Sequence, residues 1–162
     1  MSSARSAAAS DDFTRHYRAL EKMYLGAPIN AFFDLSIDIR DGEADVETVV
    51  EEKHHHAAGA AHGAVYFKML DDAAFFAASS REPEWMVVTA SFTTYLTGAI
   101  ASGAMRSRGR VVNQTRSQFI VEAVVYDGRD REIGRGTGVF VRSKKPLLDI
   151  PDYASGRAGA EE

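Results

Sequence analysis

The chain has 162 residues, 45% hydrophobic and 10% aromatic, which is enough to bury one core in one domain. Its formal charge of −4 argues against general nucleic-acid affinity, and its lack of cysteine excludes disulfides, thiolate nucleophiles and Cys-ligated zinc. No stretch reaches the roughly 18 apolar residues of a membrane span and no apolar core of an export signal is visible, so no membrane partner and a cytoplasmic location are expected.

Residues 1–10, small and polar, read as a disordered leader. From Asp11, the spacing of Phe13, Tyr17, Leu20 and Tyr24 predicts an amphipathic helix that stops at Gly26 and Pro28. The stretches AFFDLSIDIR and EADVETVVEE flank Asp41-Gly42, the dipeptide of a tight turn, and predict a hairpin with one wet face. Residues 64–79 then predict a helix that is apolar almost all round, and such a helix must be enclosed. Four β-branched and aromatic runs follow, with turn signals at Thr97-Gly98 and Asp127-Gly128, and predict an antiparallel meander. Residues 144–162, with Pro146 and Pro151, read as a flexible tail. The sum is one α+β domain over residues 11–143, an antiparallel sheet curled around one long central helix with an extra N-terminal helix.

The stretch HHHAAGAAHGAVYFKMLDD carries the polar chemistry. Gly63 lies where a loop becomes the start of the enclosed helix, so its N–H is expected to be unpaired and aimed outward with the positive end of the helix dipole. That suits a carbonyl clamp, and equally a glycine that merely permits the turn. A carboxylate in an apolar helix costs several kcal/mol unless paired, and burial raises its pKa toward that of a useful base. Asp71 and Asp72 point about 100° apart, and Lys68 at i−4 gives Asp72 a structural partner, which leaves Asp71 for chemistry. A strand continued through His54, His55 and His56 would put His54 and His56 on one face, where with His62 and an aspartate they could ligate a metal. The alanine-rich loop is a poor scaffold for ligands, so the preferred reading has no metal. Instead the histidines hydrogen-bond backbone or polarise substrate or water, with His62 structural beside the helix start.

His62-Gly63, the small residue Ala64 and an aspartate nine positions after the histidine resemble the HGG…D signature of PaaI-like hotdog-fold acyl-CoA thioesterases. The strand runs, ending in the GRGTGVF segment, are similar to that family's meander, and the resemblance covers residues 30–143. It implies that Asp71 is the nucleophile or general base and that the Gly63 N–H polarises the thioester carbonyl. His56 falls where many relatives have Asn or Gln, and Ala64 replaces a second glycine. The resemblance also implies a homodimer or tetramer with Asp71 facing Gly63 and His56 of another subunit. No cofactor is implied beyond the coenzyme A of the substrate. His62, Ala64 and Phe67 are then expected near the substrate. Arg106 and Arg108 share a strand face with Arg110 and would suit its phosphates, although such arginines are more often a solvated face. Two other readings stay open: a non-catalytic binder of acyl-CoA or another small ligand, and a metal-dependent enzyme using His54, His56 and Asp71.

Overall fold

A computed structural model describes residues 2–159, with side chains from Asp11 onward. The elements are α1 (Ser2–Leu25), β1 (Leu35–Arg40), β2 (Glu43–Val50), α2 (Gly63–Ser79), β3 (Trp85–Leu96), β4 (Gly103–Gln114), β5 (Gln118–Asp127), β6 (Glu132–Pro146) and α3 (Pro151–Ala158). Residues 2–10, expected as part of a disordered leader, instead extend α1 back to Ser2, so the helix predicted from Asp11 begins earlier. Among the described residues no helix is long and apolar enough to cross a membrane.

One six-stranded antiparallel sheet runs in the order β1-β2-β4-β5-β6-β3. The Asp41-Gly42 turn joins β1 to β2 as predicted, with Gly42 at φ +67. A simple four-strand meander is not what forms: β4, β5 and β6 follow one another, but β3 pairs with β6 at the far edge and β4 pairs with β2. After β3 the N–H groups of Thr97 and Gly98 both donate to the Ile133 carbonyl, and the chain crosses the end of the sheet to reach β2. Strand-type residues and turn signals mark where strands lie, whereas the choice of neighbour depends on which edge is open.

The inner face of the sheet wraps α2. Val65, Tyr66, Met69, Leu70, Ala73, Ala74 and Phe76 of α2 are buried against Val46, Met105, Val121, Ala123 and Phe140 of the strands, each large side chain contributing about 1.5–3 kcal/mol by leaving water. Contact is closest at β4, where a Cβ built on Gly109 would lie 2.2 Å from the Ala73 carbonyl oxygen. The enclosure predicted for this helix has one gap: Ala64 and Phe67 are exposed, with Lys68, Asp71 and Phe75 half-buried below them along one stripe.

Residues 144–159 are not a flexible tail, and the domain boundary at residue 143 moves out accordingly. β6 continues to Pro146, a single 3-10 turn spans Leu147–Asp149, and Pro151 begins α3 at a position where its missing N–H costs nothing. Tyr153 is 1% exposed and its hydroxyl donates to His16 Nδ1 at 2.7 Å, while His16 Nε2 donates to the Ser79 carbonyl at 2.9 Å. One buried imidazole thus ties α1, α3 and the end of α2 together, and burial lowers its pKa. Gly156 lets α3 press on α1, and Arg157 donates to Asp12 Oδ1 at 2.6 Å.

Two substitutions check this packing by urea denaturation. Gly109→Ala should lose about 1–3 kcal/mol, because neither backbone at that crossing can retreat. Tyr153→Phe should lose about 1–3 kcal/mol by leaving His16 Nδ1 buried without a donor; unchanged stability would mean that the C-terminal helix is not docked.

Candidate active site

Gly63 opens α2, and the preceding His62 is its N-cap, with Nδ1 accepting the Ala64 N–H at 3.0 Å. The Val65 N–H goes to the His62 carbonyl at 2.9 Å. The Gly63 N–H has no acceptor among the described residues and keeps its share of the helix dipole. A Cβ at this position would meet only Leu96 Cδ1, at 3.4 Å, so packing within the chain does not demand glycine. Gly63 borders a groove of about 400 Å³ with His56, Tyr66, Leu96, Thr97 and Gly98. Tyr66, a residue the sequence did not single out, clamps the opposite wall: its hydroxyl donates to the Gly98 carbonyl at 2.8 Å and accepts the Ile100 N–H at 3.1 Å.

Asp71 lies on the half-buried stripe of α2, where its Oδ1 accepts from the Thr89 hydroxyl at 3.0 Å. Burial, opposed by that hydrogen bond and by Lys68 and reinforced by Asp72, raises its pKa to about 6. Asp72 turns the other way, as the helical period predicts. Its Oδ2 accepts from Lys68 Nζ at 2.5 Å and from the Tyr24 hydroxyl at 2.8 Å, and burial still raises its pKa. Both carboxylates border a largely apolar cavity of about 440 Å³ between α1, α2 and β3, whose walls include Tyr24, Phe75, Phe76, Met86 and Thr89. Tyr24 and Thr89 are the functional neighbours that sequence reading missed. Tyr24 served there only as a core position of α1, and Thr89 was one polar residue in a strand run.

Eight residues separate Gly63 from Asp71 along α2, which at about 1.5 Å rise per residue is roughly 12 Å. Within one chain the N–H and the carboxylate therefore belong to different cavities.

The histidines do not continue β2. That strand ends at Val50, and His54 closes a 3-10 turn, Glu52–His54, because its Nδ1 accepts the Glu51 N–H at 3.0 Å. Its ring stacks on Phe33 with centroids 5.0 Å apart. His55 Nε2 donates to the Ala101 carbonyl at 2.6 Å. His56 Nδ1 accepts the Ala58 N–H at 3.0 Å, which leaves its Nε2 as the proton-bearing nitrogen beside Gly63. His54 and His56 share no face with Asp71, and among the described residues no three His, Asp or Glu side chains converge as a ligand set.

The other expected substrate contacts separate. His62 is spent on its cap, and neither it nor Ala64 borders either cavity. Phe67, 44% exposed, packs edge-to-face on Phe92 with centroids 5.8 Å apart, on the same stripe as Asp71. Arg106 and Arg108 do not join the site. Gly109 faces α2, so by strand alternation the arginines of β4 face outward. Arg106 donates to Asp130 at 2.6 Å and Arg108 to Asp45 at 2.7 Å, and Arg110 lies 3.8 Å from Glu122. They form the ion-paired solvated face that the sequence held as its default.

Residues 58–133, which hold α2 and β3 to β5, match the thioesterase superfamily. Among solved structures the chain is similar to the conserved protein PA5202 from Pseudomonas aeruginosa, at 26% identity and TM-score 0.68 over 72% of this chain and 94% of that one. It is also similar to the E. coli PaaI protein from the phenylacetic acid degradation operon, at 15% identity and TM-score 0.74 over 82% of this chain and 96% of that one. A third likeness is to smu.793 from Streptococcus mutans, solved bound to acetyl CoA, at 22% identity and TM-score 0.62 over 70% and 90%. No protein of curated function matches. With its sheet wrapped on α2, the chain has the hotdog-type arrangement of its structural neighbours, PaaI among them, and its central residues 58–133 carry the likeness to the thioesterase superfamily.

Proposed function

We propose that the protein is an acyl-CoA thioesterase that works as a homodimer or a larger even assembly, with each site completed across a subunit boundary. The observation that carries this reading is Asp71, a carboxylate with a pKa near 6 on an apolar cavity wall, on the same helix as an unpaired N–H that it cannot reach. A second copy related by a two-fold axis resolves the separation by bringing one chain's Asp71 to the other's Gly63. β3 suits such pairing: it is an edge strand, with Val88, Tyr95 and Leu96 exposed at 39%, 61% and 49%. The exposed stripe of α2 runs beside it.

In this arrangement the thioester carbonyl accepts from the Gly63 N–H, with the His56 Nε2–H as a second donor. Asp71 of the partner subunit takes a proton from water, whose oxygen attacks the carbonyl carbon. The C–S bond then breaks and the proton passes to the leaving thiolate, giving free acid and coenzyme A. Attack by the carboxylate itself, through an anhydride that water then opens, uses the same placement. The acyl group occupies the cavity under Tyr24, Phe75 and Met86, where apolar walls suit an aryl or medium aliphatic chain. The acetyl CoA held by smu.793 supports a coenzyme A thioester as ligand. No cofactor is needed beyond the coenzyme that the substrate carries.

A panel of acyl-CoAs, followed for thiol release and thermal shift together, tests the assignment. At least one should release thiol; stabilisation without thiol release by any member would replace the enzyme with a binding protein. Asp71→Asn should lower turnover by about 10²–10⁴-fold while mass and circular dichroism stay unchanged, and full activity in this variant would defeat the reading.

The pH dependence follows from the raised pKa. As the ionised base is required, kcat/KM should rise with pH to a plateau above about 6. The same shift penalises folding wherever Asp71 must be ionised, in full above about 6 and not at all below the ordinary value of 3.8. Asp71→Asn should accordingly raise Tm at pH 8 and leave it unchanged near pH 3, as read by calorimetry at both pH values.

A further inference from the structure

A second groove continues from the one at Gly63. It has a volume of about 470 Å³ and is walled by Ala99, Ile100, Ala101, Ser102, Gly103, Asp127, Arg129 and Arg131. Ala99 borders both grooves, so the two adjoin at the connection between β3 and β4. That connection is held from below by the Ala61 N–H on the Ile100 carbonyl at 2.8 Å and by His55 on Ala101. The N–H groups of Ala101 and Ser102 have no acceptor among the described residues. Gly103, at φ +95 with nothing within 4 Å of a built Cβ, leaves that stretch of wall as bare backbone.

Two cations border this groove, Arg129 and Arg131. Asp127 Oδ1 accepts the N–H groups of Arg129 and Arg131, each at 3.0 Å, and so shapes the turn between β5 and β6. Its Oδ2 takes the Arg131 guanidinium at 3.0 Å, and Asp130 takes Arg106. The Arg129 guanidinium meets no carboxylate among the described residues. Lys68, Arg131 and Arg135 also border cavities, and each is held by an acid: Asp72, Asp127 and Glu132 respectively.

We infer that this groove binds the phosphate groups of the coenzyme, with the Arg129 guanidinium as their charge partner and the Ala101 and Ser102 N–H groups as further donors. The inference rests on the thioesterase reading and assigns the end of the substrate that the ion-paired arginines of β4 leave unserved. A thioester carbonyl at Gly63 points its pantetheine arm along the first groove and over Ala99 into the second. Gly63 and Arg129 come from the same chain, so the path holds whichever subunit supplies the base. A free guanidinium matches phosphate oxygens in a fork, and one already paired would first have to give up its acid.

The test compares an acyl-CoA with the acyl-pantetheine thioester of the same acyl group, which keeps the reacting bond and lacks the nucleotide and its phosphates. Arg129→Ala should raise KM for the acyl-CoA about tenfold with kcat held, leave both constants for the pantetheine thioester as in wild type, and weaken the salt dependence of KM. Arg129→Lys should recover part of the loss. Arg108→Ala, on the outward face, should leave KM unchanged. An unchanged KM in Arg129→Ala, or an equal rise for both thioesters, would overturn the groove assignment while leaving the enzyme reading intact. Failure of the wild type to hydrolyse any thioester would sink the enzyme reading instead. In that case calorimetry with free coenzyme A decides the groove: it should bind the wild type about tenfold more tightly than Arg129→Ala, and equal affinities would overturn the assignment.

Discussion

The close contact of α2 with the inner face of the sheet is the constraint on which the rest depends. Gly109 brings the backbone of β4 against the Ala73 carbonyl, and no other residue at that position would let helix and strand approach so far. With the helix seated there, alternation along each strand sends apolar side chains inward and arginines outward. The N-terminus of the helix is left at the rim of the sheet, so the Gly63 N–H opens into a groove rather than into the core.

The same seating treats two adjacent carboxylates differently. Asp72 faces α1 and finds an ammonium and a phenol, whereas Asp71 faces β3 and finds only the Thr89 hydroxyl. Desolvation raises both, but Asp72 holds the Lys68 ammonium in direct contact, whereas Asp71 feels that charge only from a distance and is pushed further up by Asp72. An acid left in that state has a pKa near the pH at which a base is useful. The nearby histidines are chiefly scaffolding: three of them accept a backbone N–H through Nδ1, and His55 props the connection between β3 and β4.

On the proposed reading, the apolar cavity and the groove path serve the two ends of one substrate. The apolar one beside Asp71 suits an acyl group, and the more polar path from Gly63 to Arg129 suits a coenzyme arm ending in phosphates. Rise along the helix keeps the two functional groups of one chain too far apart to share a carbonyl, and the open edge of β3 lies where a second copy would close the gap. In this reading, assembly and catalysis have a common geometric cause.

Local patterning alone determined a good deal. The 3.6-residue spacing from Phe13 to Tyr24, the Asp41-Gly42 turn, the apolar run of α2, the Lys68–Asp72 pair and the exposed start of that helix at Gly63 are all set by residues a few positions apart. Features set by distant partners needed the tertiary structure. β3 left its sequence neighbour for β6, the C-terminal segment docked because Tyr153 meets His16 137 positions away, and Asp71 was matched with Thr89 across 18. The free guanidinium is of the same kind: in sequence Arg129 looks no different from Arg106 or Arg108, and only the fold decides which arginines find an acid. Periodicity reports which face of an element is apolar, whereas burial, pairing and charge balance depend on what packs against that face.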